Sequence, residues 1–339
     1  MRGAFLLGAF LFAASPAAGQ APKPLFASDE TIRITIQGPI STLVNNRSSA
    51  HRQGTLTVGS ETLPVTLSVR GLTRRSTETC RFPPLRVEFA VPPPPGSLFA
   101  GQRRLKLVTH CRGEAGFQQK VLLEYAAYRM YRQLTPLSLG IRLAQIDYRQ
   151  ADGRSYVQRL GFFLEDADDA AKRNGLKEIH APELIPIATL SPRDAARYAL
   201  FQHMIGNHDW AMRAGPKGDD CCHNSKLVGA SGVAPRAVIP IPYDFDFSGL
   251  VDAPYATPPD ELNIASVRQR VYRGYCIHNR EAAAVAAQMR AARPQLVGTL
   301  WAIPELDETT RRRAANYLMG FFDQVATDAG VAAMLKRCL

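Results

Sequence analysis

Tyr156-Val157-Gln158-Arg159-Leu160-Gly161-Phe162-Phe163-Leu164-Glu165-Asp166-Ala167-Asp168 is the stretch on which the reading of this chain turns. Up to Leu164 it reads as a strand, ending in an apolar and aromatic run. From Glu165 it becomes polar, with four acids in five residues that suit the positive start of a helix. N-terminal to it, residues 31–148 are mainly strand-like. Segments such as Ile32-Ile34-Ile36 and Val65-Leu67-Val69 alternate, separated by Gly, Pro and Ser turns. The four prolines and Gly96 within residues 91–96 form a loop, and Leu105-Lys106-Leu107-Val108 resumes as a strand. One helix is expected at 117–134, where Val121, Tyr125, Tyr128 and Arg132 recur at helical spacing and Pro136 marks the stop. C-terminal to the divide, residues 166–177 read as a short helix. Ser191-Pro192-Arg193-Asp194 starts a longer one, which carries Ala196, Leu200, Phe201, Met204 and Ile205 into a core and ends at Gly206-Asn207. Strands at 225–228 and 237–241 and helices at 281–292 and 309–327 complete the pattern, with no internal repeat. The expected architecture is α+β and bilobal: a β-rich N-lobe with one helix over residues 20–165, and a mainly helical lobe over 166–339.

The first residues read as an export signal. Arg2 is followed by an apolar run to Ala14, and Ala17-Ala18-Gly19 offers small residues for cleavage. The run stops at Ser15-Pro16, short of the roughly 20 apolar residues that a membrane-spanning helix needs. No later segment is apolar enough either, so the chain is expected to be periplasmic or secreted and not transmembrane. In an oxidising compartment the six cysteines are expected to form disulfides; Cys80–Cys111 is the preferred pair because both lie in the same expected sheet region, although six cysteines allow about 15 connectivities and the sequence does not choose among them. The formal charge is +11. A basic surface favours anionic partners such as nucleotides or phosphorylated glycans, and it is equally what solubility alone would require. No arginine run is interleaved with aromatics in the manner of a nucleic-acid groove, so no nucleic-acid partner is expected.

Two acid-bearing segments carry the chemistry. Gly206-Asn207-His208-Asp209-Trp210 follows an apolar helix, and Pro242-Tyr243-Asp244-Phe245-Asp246-Phe247-Ser248-Gly249 follows an apolar strand. Acids at the ends of rigid elements are held in fixed geometry, as phosphoryl transfer requires: one orients the attacking hydroxyl while others hold Mg²⁺ against the phosphates. Magnesium takes one or two carboxylates and keeps several waters, which suits Asn224 and Asp244. Asp246, two residues on in an extended stretch, shares a face with Asp244. Each acid taken alone is equally a turn former or a solvated loop residue. A rival set, His203, His208, Cys221, Cys222 and His223, has zinc-ligand chemistry and would suggest a zinc-dependent hydrolase, although adjacent cysteines lack the usual spacing.

Several segments together resemble the CotH family of kinase-like proteins: Val69-Arg70-Gly71, the strand at 103–108, the helix from Phe117, Gly161 to Asp168, and Tyr243-Asp244-Phe245-Asp246. The resemblance covers roughly residues 65–250 and implies an atypical protein-kinase-like fold. It implies Asp209 as catalytic acid, Asn224 and Asp244 as metal ligands with Asp246 assisting, and ATP or another nucleotide with Mg²⁺ or Mn²⁺ as cofactors. Lys106 and Arg70 would then face nucleotide phosphates, Glu124 would pair with Lys106, and Glu165 would sit at a hinge near the base. The acceptor would be a hydroxyl of an exported protein or glycan. The alternative on the same fold is a catalytically silent binding or envelope-assembly module.

Overall fold

The computed structural model describes residues 21–218, 220–230 and 237–339. The export segment expected at 1–19 lies outside them. The N-terminal half runs β1 (Ile32–Gln37), α1 (Ile40–Asn46), β2 (Arg52–Val58), β3 (Glu61–Val69), β4 (Leu85–Phe89), β5 (Arg104–Val108), α2 (Ala115–Leu134), β6 (Ile141–Arg149) and β7 (Ser155–Leu164). There follow α3 (Ala167–Arg173), β8 (Lys177–Ile179), α4 (Pro192–Ile205), β9 (Ser225–Gly229) and β10 (Ile239–Pro242). The helices α5 (Asn279–Ala291), α6 (Arg293–Gly298), α7 (Glu308–Gln324) and α8 (Asp328–Leu335) end the chain.

The first seven strands form a closed barrel in the order β1-β2-β3-β4-β5-β7-β6. Closure is made by a parallel pairing of β1 with β6, from Ile32 opposite Ala144 to Gln37 opposite Arg149, while the other neighbours are antiparallel. This corrects the expected architecture. The α+β content is present, but the N-terminal sheet is no open lobe of a bilobal kinase-like fold. An open sheet would expose the unpaired backbone of β1 and β6, and closing removes both edges. Alternation supplies the filling: Ile34, Ile36, Leu56, Val65, Leu67, Val87, Leu107, Ile146 and Phe163 are buried together inside the barrel.

The start of β6 and the end of β7 are covered on both faces, where each strand has four consecutive buried residues. Their outer face, with Ile141, Leu143, Phe162 and Leu164, packs into a second core with α2. There the Tyr125 and Tyr128 rings each lie 5.7 Å from that of Phe162. Tyr131, farther along α2, meets Phe201 of α4 at 4.8 Å. Helix α2 is thus wedged between barrel and C-terminal helices. Fully burying large apolar side chains of this kind stabilises by about 1.5–3 kcal/mol each. The small antiparallel sheet β10-β9-β8 lies beyond it in sequence.

Three disulfides are present: Cys80–Cys111, as expected, Cys276–Cys338, and the adjacent pair Cys221–Cys222. Among the described residues, no helix is long and apolar enough to cross a membrane.

Candidate functional site

Helix α4 delivers Asp209. The helix ends at Gly206, whose left-handed backbone (φ 65°, ψ 38°) caps the last carbonyls through Gln202 and His203. The Asn207 side chain then accepts from the Asp209 amide at 3.1 Å, and the Trp210 indole donates to the Asn207 carbonyl at 2.9 Å. This local folding aims the carboxylate. Its Oδ2 accepts from Asn224 Nδ2 at 2.9 Å and its Oδ1 meets His223 Nε2 at 2.5 Å. The structure therefore brings Asn224 directly onto Asp209, across the loop between α4 and β9.

The β9–β10 hairpin sets Asp244 beside them. Ser225 pairs with Pro242, and the Tyr243 amide donates to the Asn224 carbonyl at 3.2 Å, so Asn224 and Asp244 sit at adjoining strand ends. Both adopt left-handed backbone, φ 49° for Asn224 and φ 62° for Asp244. Asn and Asp tolerate that region better than other non-glycine residues, and such strain collects at functional sites. From α2, the Tyr128 hydroxyl accepts the Asp244 amide at 2.8 Å.

Arg74 is the residue that the sequence did not single out. It lies on the turn after β3, is buried, and touches three carboxylates: Glu124 at 3.0 Å, Asp246 at 3.3 Å, and Asp244 in a close ion pair. Burial disfavours its charge, yet Asp246, Glu124 and Asp244 together hold its pKa well above the ordinary value. One guanidinium cannot neutralise three carboxylates. Burial, opposed by Arg74, pushes Glu124 up to about 8 and Asp246 up to about 6. For Asp244 burial also raises, but Arg74, Arg70 and Lys106 prevail and hold it below the usual carboxylate range. The turn bearing Arg74 is anchored by the Cys80–Cys111 bridge and by reciprocal bonds between Arg47 and Arg75: Arg47 Nη1 donates to the Arg75 carbonyl at 2.9 Å, and Arg75 Nε to that of Arg47 at 2.6 Å.

Lys106 lies mid-β5, between Arg86 of β4 and Leu164 of β7. Among the described residues it has no carboxylate within ion-pair distance. Its Nζ sits 5.1 Å from the centre of the Tyr243 ring, and burial, with Arg70 and Lys226 nearby, lowers its pKa to about 8. Glu124 accordingly pairs with Arg74 and not with Lys106. Arg70 acts on Asp244 through its field without a direct ion pair. Glu165 is buried, bonded to the Gly140 amide at 2.7 Å and to Arg173 at 3.0 Å, so its side chain braces the β7–α3 turn. A cleft of ≈ 410 Å³ opens beside Lys106, lined by Arg86, Arg104, Asp166, Glu178 and Lys226 among others.

The oxygens of Glu124, Asp244 and Asp246 lie within 4.8 Å of one another, but the Arg74 guanidinium already sits among them. Asp246 also accepts from Tyr255 at 2.8 Å and is only 4% exposed. It does not fit as a metal ligand. The Asn224 amide oxygen and the second Asp244 oxygen have no hydrogen-bond partner among the described residues and remain available to a divalent cation. The zinc alternative loses both cysteines to a disulfide, and among the described residues His203, His208 and His223 do not gather into a metal-holding group. Comparison with known proteins finds no family model and no curated protein that matches the chain.

Proposed function

We propose that this chain is an exported phosphotransferase, dependent on Mg²⁺ or Mn²⁺, that moves a phosphoryl group from a nucleotide such as ATP to a hydroxyl of an exported protein or glycan. The observation that carries the reading is the contact of Asn224 with Asp209 at 2.9 Å, at the strand end adjoining Asp244. Asn224 and Asp244 would hold the cation, which supplies neutralisation of phosphate charge. The Asp209 carboxylate has lone pairs beyond the two it uses, and it would orient the acceptor hydroxyl and take its proton. As the new O–P bond forms, the bond to the departing nucleoside diphosphate breaks. Lys106 on the cleft and Arg70 near Asp244, neither with a carboxylate at ion-pair distance among the described residues, would face the phosphates. The three disulfides accord with an oxidising compartment.

One observation favours a second reading, nucleotide binding without turnover: Arg74 already neutralises much of the acid cluster. Thermal melting with ATP and Mg²⁺ or Mn²⁺, beside radiolabel transfer to an envelope extract, separates the two. Stabilisation lost in Asp244→Ala and transfer lost in Asp209→Asn support the enzyme. Stabilisation with no transfer by the wild type supports the binding module, and no stabilisation by any nucleotide refutes both.

A further inference from the structure

A second cationic site lies on the outer side of α7. A pocket of ≈ 570 Å³ is lined by Arg268, Arg270, Arg313, Asn316, Tyr317 and Gly320. The Arg270 guanidinium is stacked on Tyr317, 3.9 Å from the ring centre, and that of Arg268 lies 4.8 Å from the same ring. Arg270 is built in. Its Nε and Nη2 both donate to the Met204 carbonyl at 3.1 Å, and Nη2 also to the Tyr317 carbonyl at 2.5 Å. These bonds fix the plane of the group and leave Nη1 without a partner among the described residues. That nitrogen lies beside Gly320, where a Cβ would stand 3.4 Å from it. A glycine inside a helix costs about 1 kcal/mol against alanine. Here its missing side chain keeps Arg270 uncovered.

The charges around this pocket do not balance. Arg268 has one carboxylate, Asp252 at 3.4 Å, whereas Arg270 and Arg313 have none within ion-pair distance among the described residues. Lys120, on α2, is close enough that Arg313 and Arg268 add to burial in lowering its pKa. The half-buried Arg268 and Arg270, both over one ring and with exposed Arg313 beside them, repel one another, and an oxyanion relieves that repulsion. Guanidinium groups of fixed orientation match the oxygens of phosphate or sulfate in two-pronged fashion.

We propose that the pocket formed by Arg268, Arg270 and Arg313 around Tyr317 and Gly320 binds a tetrahedral oxyanion, as carried by a phosphate monoester or a sulfate ester. It is independent of the cleft beside Lys106 and needs no metal. The test is thermal melting and calorimetric titration of the full chain in EDTA, with inorganic phosphate or sulfate as probe and sodium chloride of equal ionic strength as reference. Saturable stabilisation beyond chloride is expected, with affinity about tenfold weaker in Arg313→Gln, as for loss of one charge-assisted contact. Gly320→Leu, which favours the helix and fills the space over Arg270, is expected to abolish binding without lowering the melting temperature of the free protein. Lys106→Ala is expected to leave the response unchanged. The proposal is overturned if phosphate and sulfate act no differently from chloride. It is equally overturned if Arg313→Gln and Gly320→Leu bind like wild type, or if Lys106→Ala alone removes the response.

Discussion

Replacing Arg74 by alanine tests the electrostatics on which the site is built. The substitution removes the only cation among the described residues in contact with Glu124, Asp244 and Asp246 and leaves their oxygens within 4.8 Å of one another. Breaking a buried ion pair from one side costs about 3–5 kcal/mol. Proton uptake limits the loss. Neutralising one further aspartate of ordinary pKa ~3.9 costs about 1.36 kcal/mol per pH unit above that value, hence about 5 kcal/mol at pH 7.5 and about 1.5 kcal/mol at pH 5. The deficit therefore grows with pH. The wild type slopes the same way more gently. Carboxyls whose folded pKa is raised, to about 8 for Glu124 and about 6 for Asp246, contribute stability that is present below the unfolded values near 4 and is lost as pH rises through 6 to 8. Urea unfolding in EDTA, followed by the fluorescence of buried Trp210, measures the difference at each pH. At pH 7.5 the melting temperature should fall on the order of 10 °C. Calcium in place of EDTA should restore part of the loss, because it accepts carboxylate ligands and would replace the missing positive charge. A deficit under about 1 kcal/mol at pH 7.5, or one that does not change between pH 5 and 7.5, would refute the reasoning.

Two further outcomes follow from contacts around the same site. His223 is bonded to Asp209, which raises its pKa despite burial, so the pair contributes stability at low pH that is lost as pH rises through the His223 value. Its NMR titration midpoint should lie above the ordinary ~6.5 in metal-free buffer and return toward that value in Asp209→Asn; an unchanged midpoint in the variant would remove Asp209 as the cause. Gly249, in the segment after Asp244, packs so closely that a Cβ would stand 2.6 Å from the Val267 carbonyl oxygen and 2.8 Å from the Arg268 Cα. Gly249→Ala should cost about 1–3 kcal/mol or more in denaturant unfolding, and a change within about 0.5 kcal/mol would show that the backbone there yields.

Local signals in the sequence located the elements that carry the site. The proline at the start of α4 and the glycine at its end bracket the helix that delivers Asp209, and the apolar stretch before Tyr243 marks the strand that delivers Asp244. Barrel closure was not legible, because the β1–β6 ladder joins residues more than a hundred positions apart and an alternating strand looks the same at an edge as in a closed sheet. Arg74 was hidden for a related reason. Arg70, Arg74 and Arg75 follow one another through a turn with no periodicity, and only the fold distinguishes the one driven into the acid cluster. Lys106 resumed a strand as expected, but that Glu124 on α2 would pair with Arg74 and not with Lys106 could not be read from spacing, because the fold sets which cation meets it.

Arg74 also bears on what kind of cation site the acids can form. Three carboxylates within 4.8 Å would, if empty, take a divalent ion deep among them and bind it tightly. With a guanidinium lodged there, Glu124 and Asp246 are spent on a covalently tethered charge, and the one Asp244 oxygen left over can share an ion only with Asn224 and with ligands from outside. A cation held by one carboxylate and one amide is weakly bound until phosphate oxygens complete its shell. The arrangement thus favours a metal that arrives and leaves with its anionic ligand over one that resides permanently. Tight metal binding by the free wild-type protein would contradict this, whereas binding that appears only with nucleotide present is the outcome expected on the proposed function.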